Sequence, residues 1–177
     1  MRFSLCSILL LIVNLVWAQK FVLEKSKVVF FSDAAIEDIR AENSKSLSIY
    51  NAETNEVAFS IPISEFQFEN STMREHFNEK YMDTDKFPKA TFQGKFSPFN
   101  PAGKEQQPVT ATGKLTIHGV TRDVEIVGSI IPAIQTFVAR ATFIVKLADY
   151  NIKIPTFLWQ KIAEQVEVTV EFSYKPQ

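Results

Sequence analysis

Alternation of period two runs through almost the whole chain beyond residue 20. Successive side chains of a strand point to opposite faces, so a sequence of this kind buries one face of each strand and leaves the other wet. The clearest run is QVEVTVEFSY (165–174), with Val166, Val168, Val170, Phe172 and Tyr174 against Glu167, Thr169, Glu171 and Ser173. VAFSIPI aligns Val57, Phe59, Ile61 and Ile63; KATFQGKF aligns Ala90, Phe92, Gly94 and Phe96. VTATGKLTIH sets Val109, Ala111, Gly113, Leu115 and Ile117 opposite Thr110, Thr112, Lys114 and Thr116. TFVARATFIVKL gives Phe137, Ala139, Ala141, Phe143, Val145 and Leu147, with Val138 and Ile144 beside Arg140 and Lys146 on the other face. Shorter runs lie at 21–31, 35–41, 46–50 and 124–130. Eight or nine such strands are antiparallel, and they must pack as a sandwich or close as a barrel. No strand–helix alternation, glycine-rich phosphate loop or internal repeat is present, and NPAGKEQQP (100–108) reads as a long hairpin loop.

Two segments break the alternation. NSTMREHFNEKYM (70–82) predicts a short helix, with Thr72 and Glu75 as a capping box and Met73, Phe77 and Tyr81 as one apolar stripe. TFLWQKIAE (156–164) predicts a helical turn after Pro155. Between helix and strand, Pro88 fixes φ and donates no hydrogen bond, which suits the first residue of a strand, and it forces Phe87 to be extended. The stretch YMDTDKFPKATFQG is therefore a helix-to-strand corner, with Asp83 and Asp85 on the exposed bend.

The first eighteen residues read as a signal peptide: Arg2, then the apolar run LCSILLLIVNLVW, then Val16 and Ala18 in a cleavage pattern. The alternative is an uncleaved anchor. The expected division is 1–18 signal peptide and 19–177 a single domain, periplasmic or secreted and without stable membrane insertion once cleaved. Cys6 is then lost, so disulfides, thiolate catalysis and cysteine-based zinc sites drop out. About 160 residues suffice to bury a core unaided. Nineteen basic residues, Arg2 among them, stand against twenty acidic ones with no basic run, which argues against nucleic acid. Phenylalanine is the outlier, sixteen against four tyrosines and two tryptophans. It supplies apolar area without polar handles, for a thick aromatic core or for an aromatic-lined cavity.

Candidates for chemistry are few. His76 lies on the helix near its apolar stripe and His118 at a strand end, with no HxH or HxxxH pairing. A metal site would need help from Asp83, Asp123 or Glu75; a structural or headgroup role is the simpler reading. His118-Gly119 suits a tight hairpin turn, with Thr121 bonding locally to the bend. No nucleophile motif appears, and Glu37/Asp38 and Asp83/Asp85 read as solvated charges.

The stretch EHFNEKYMDTDKFPKATF, with His76-Phe77, Tyr81-Met82-Asp83, Phe87-Pro88 and Phe92, resembles the YceI-like family. So does GKLTIHGVTRDV, through Gly113, Leu115, Thr116, Ile117, Gly119, Val120, Thr121 and Val124. The chain departs from the family's pattern at Met73, where arginine is frequent, at Asn151, where glycine is frequent, and over KSKVVFFSDAAIEDIRAEN. The resemblance implies an all-β fold: an elongated antiparallel, lipocalin-like β-barrel of about eight strands with one or two short helices. It implies a non-catalytic protein, without cofactor or metal, holding a polyisoprenoid or other long apolar lipid in its lumen. On that reading Phe59, Ile61, Phe77, Tyr81, Phe92, Leu115, Ile117 and Phe143 line the lumen, and Arg74, His76 and Lys80 stand at the mouth for a headgroup. A tail of roughly 20 carbons offers about 16 kcal/mol gross, before ordering costs reduce it. A tube of this kind can be closed by a helix or by homodimerisation. Two other readings compete: a secreted interaction or stress-related barrel with a filled core, and a metal-assisted hydrolase using His76 and His118.

Overall fold

A computed structural model describes residues 20–33, 38–154 and 163–177. The expected signal peptide and most of the expected turn at 156–164 lie outside the described residues. Ten strands follow in chain order: β1 (Lys20–Ser32), β2 (Ile39–Asn43), β3 (Leu47–Asn51), β4 (Glu56–Pro62), β5 (Gln67–Phe68), β6 (Lys89–Phe96), β7 (Gln107–Ile117), β8 (Val120–Ala133), β9 (Thr136–Lys146) and β10 (Gln165–Pro176). All pair antiparallel, and β10 returns to β1 to close the sheet. The lower half of β1 pairs with β3 and its upper half with β2, while β3 pairs with β4 and β2 with β5. β2 and β3 thus form one interrupted wall strand, β4 and β5 another, and the barrel is eight-stranded.

The alternating runs face as the sequence predicts. Phe172, Tyr174, Phe92, Phe96, Val109, Leu115, Phe137 and Val145 are buried, and their neighbours at odd spacing are exposed or half-buried. The run expected at 124–130 is longer, because β8 starts at the turn itself. In the run expected at 35–41, the described strand spans Ile39–Asn43 instead.

Glycine has a definite task at two places. The β7–β8 turn sets His118 at φ 51° and Gly119 at φ 74°, the left-handed pair a two-residue hairpin requires, and a Cβ on Gly119 would strike the Phe87 ring. Gly94 and Gly113 oppose each other on β6 and β7, where a side chain on either would run into the backbone of the other strand.

One end of the barrel is filled. Phe21, Tyr50, Phe137 and Tyr174 are buried there, with Phe137 stacked on Tyr174 at 4.7 Å and Phe99 on Tyr50 at 5.4 Å. The Tyr50 hydroxyl donates to Asn55 Oδ1 at 2.9 Å. Ser48 Oγ donates to the Ala58 carbonyl at 2.8 Å, so it accepts from the Tyr174 hydroxyl at 2.6 Å. Burial pushes both phenols above their ordinary value, Tyr50 to about 12.

The other end carries helix α1 (Ser71–His76), continued by a wide π turn, Phe77–Tyr81. The cap is not the expected Thr72/Glu75 box. Asn70 is the extended residue before the first turn, and its Oδ1 accepts from the amides of Thr72 and Met73 at 2.8 and 3.4 Å. Thr72 already lies within the helix and has no orphan amide ahead of it to serve. The corner after the helix forms as expected: the Pro88 carbonyl accepts from the Ile63 amide at 2.9 Å, tying the start of β6 to the end of β4. Asp83 is half-buried rather than exposed, at φ 43°, with its carboxylate 2.7 Å from Lys86 Nζ.

Candidate ligand-binding site

Between the filled end and the helix lies a cavity of about 530 Å³, within the range of small-molecule sites. Its wall is built from inward positions of the alternating strands, including Val28, Leu115, Val145, Val166, Val168 and Val170. Almost all of it is aliphatic or aromatic, so water inside has few partners to bond and an apolar guest displaces it favourably. A smaller void of about 80 Å³ continues toward the filled end and shares Ile61, Leu115, Phe143 and Val170 with the first. Ala111, Gly128, Ala139 and Ala141 line this narrower part. Small residues there make the tapered passage.

Six of the eight expected lumen residues, Ile61, Phe77, Tyr81, Leu115, Ile117 and Phe143, border the larger cavity. Phe59 and Phe92 border the smaller one. The Met73, Phe77, Tyr81 stripe faces the larger cavity as a unit, which is why the helix sits across the barrel end. Phe77 stacks on Phe30 at 5.3 Å and lies 5.1 Å from Phe68, forming an aromatic roof with Phe66. Burial raises the Tyr81 phenol, which stays a neutral donor beside the void. Of the three mouth candidates, His76 and Lys80 border the cavity, whereas Arg74 is exposed and stands outside the lining. Phe30, Phe66, Phe68 and Ile152 were not singled out by sequence. Phe68 sits on a two-residue strand too short to show a period.

His118 belongs to the turn. Its Nδ1 is 3.2 Å from the Tyr150 carbonyl oxygen and its ring lies 4.5 Å from that of Phe87. Thr116 and Thr121 hydroxyls meet at 2.8 Å across the same hairpin. Among the described residues, no three histidine, cysteine, aspartate or glutamate side chains are grouped to hold a metal ion, and none of the described helices is long and apolar enough to cross a membrane.

The sequence profile of the YceI-like domain matches residues 20–174. The chain belongs to the YceI-like family. No curated protein sequence matches it. Among solved structures it is similar to a polyisoprenoid-binding domain from Saccharophagus degradans implicated in plant cell wall breakdown. The two share 16% identity with a TM-score of 0.77, over 89% of this chain and 98% of that one. It is also similar to Burkholderia cenocepacia BcnA (18% identity, TM-score 0.71, 84% of this chain and 95% of that one). A Campylobacter jejuni YceI protein matches at 16% identity and TM-score 0.56, over 99% of this chain and 91% of that one. These likenesses concern the fold. The YceI-like barrel is a lipocalin-type binding-protein architecture able to cradle an apolar ligand, and membership in it supports a non-enzymatic role.

Two departures from the YceI-like pattern have local reasons. Asn151 sits at φ 56°, ψ 24°, the left-handed conformation that glycine takes freely and asparagine tolerates. Met73 faces the cavity, so this chain presents a thioether to the lumen at a position where the family often has a guanidinium.

Proposed function

We propose that this YceI-like protein is an exported, non-catalytic carrier that holds one long apolar molecule, a polyisoprenoid or another lipid, in its barrel. The observation that carries the reading is the apolar cavity of about 530 Å³ in a barrel whose opposite end is filled. A solid-core interaction protein has no use for such a void, since unfilled apolar volume costs stability. The polyisoprenoid-binding domain from Saccharophagus degradans shares this fold, which supports the ligand class. The apolar segment at residues 1–18 and the family's binding-protein character support a periplasmic or secreted setting. Phe59, Ile61, Phe77, Tyr81, Phe92, Leu115, Ile117 and Phe143 contact the chain in this proposal, while His76 and Lys80 meet its polar end. Lys80 brings a positive charge to the rim, which favours an anionic or strongly accepting headgroup.

Titration with a homologous series of straight-chain or prenyl alcohols tests this. Each added methylene should tighten binding by up to roughly fourfold until the lumen is full, after which affinity levels off. Affinity independent of chain length would overturn the proposal.

A further inference from the structure

The barrel wall is split between β8 and β9. Their ladder runs from Ala133↔Thr136 up to Gly128↔Ala141 and stops there. Above that rung β8 continues to Val120 paired with β7 alone, and β9 continues to Lys146 paired with β10 alone. The split is framed at the top, where Arg122 Nε donates to the Asp149 carbonyl at 3.0 Å and His118 Nδ1 meets the Tyr150 carbonyl. The result is a window with β8 and β9 as its sides.

The ladders are also interrupted between β1 and the β2–β3 strand and between that strand and β4–β5, and polar groups stitch both of those breaks. Asn43 Nδ2 donates to the Pro62 carbonyl at 2.7 Å, and the Ser46 amide donates to Ser26 Oγ at 3.2 Å. Among the described residues no side-chain hydrogen bond spans the β8–β9 window below Arg122. Its outer rim carries two exposed apolar side chains, Val127 (68% exposed) and Ile144 (51% exposed), among the outward Asp123, Glu125, Thr142 and Lys146. The smaller void reaches this place. Its lining includes the inward Ile126, Ala141 and Phe143 and also Ser129 and Arg140, which stand on the outward face beside the last rung. The aromatic plug fills one end of the barrel, and Phe30, Phe66, Phe68 and Phe77 pack together over part of the other.

We propose that the β8–β9 window is a side port through which the apolar chain of the ligand passes between the lumen and its lipid source. This rests on the carrier reading above. Val127 and Ile144 give the chain apolar contact during the crossing, and Ile126, Ala141 and Phe143 receive it inside.

The test is the rate at which the full protein takes up pyrenyl-dodecanoic acid from phosphatidylcholine vesicles, read beside its equilibrium affinity. Continuing the register places Glu125 opposite Ile144, so Glu125→Cys with Ile144→Cys can be joined across the window by a short bis-maleimide crosslinker. The bridged form should load at least about tenfold more slowly than the same variant before crosslinking, at unchanged affinity. Val127→Lys with Ile144→Lys needs no bond to form. It should also slow loading by about tenfold, the change expected from losing about two methylenes of contact at the crossing. Equal loading rates in the unmodified, bridged and lysine forms would overturn the port and leave the carrier standing. Failure of the unmodified protein to bind the probe at all would overturn the carrier and the port with it.

Discussion

Tyr174 is fully buried and donates to Ser48, which itself donates to the Ala58 carbonyl. Tyr174→Phe removes the first link and leaves Ser48 its own acceptor, so we expect a loss of about 1 kcal/mol in urea denaturation. The same buried phenols set an alkaline limit. In the unfolded chain tyrosine loses its proton near 10, while the folded protein keeps Tyr50 protonated to about 12. Above the unfolded value the unfolded state therefore binds fewer protons than the native state, and stability falls as pH rises. Urea midpoints should drop between about pH 10 and about pH 12, and less steeply in Tyr50→Phe. Individual roles were unevenly legible in the sequence. His118-Gly119 showed its turn through glycine, and Phe87-Pro88 its corner through proline, because both residues constrain the backbone locally. Asp83 read as a solvated charge, since nothing in DTDK states that the bend folds back on itself at positive φ.

The helix over the cavity depends on Asn70, whose side chain holds two amides of its first turn. Asn70→Ala should cost about 1 kcal/mol, whereas Asn70→Asp should be nearly neutral. Hydrogen exchange localised to residues 71–81 measures both. Strands were legible wherever the alternation ran for seven residues or more, as in β4, β6, β7, β9 and β10, because one face of each meets the lumen along its whole length. The interruptions were not legible. The break between β2 and β3 is held by Asn43 and Ser46, which contact residues about twenty positions away, and local pattern carries no sign of such partners. The π turn was likewise silent: Met73, Phe77 and Tyr81 fit an ordinary helix, and only the Met82 amide reaching the Phe77 carbonyl reveals the wider turn.

Eight one-faced strands need a common interior, which a sandwich or a barrel can supply; the YceI-like resemblance pointed to the barrel, and the pairing of β10 with β1 closes it. Whether that interior was hollow was beyond the sequence. Phenylalanines interleaved with alanine and glycine serve a packed core and a tunnel equally well, and here they do both, filling one end and lining the other. Occupancy of the hollow part should respond to volume. Val168→Trp points an indole into the cavity, and it should keep the melting temperature within a few degrees while weakening alcohol binding at least about tenfold. A carrier of this kind holds a guest in that space. The most direct measurement is the mass of the protein purified from its native compartment, taken intact and again after denaturation. We predict a single bound apolar molecule that leaves on unfolding and is absent from Val168→Trp. A native mass equal to that of the bare polypeptide, with nothing apolar in the organic extract, would contradict it.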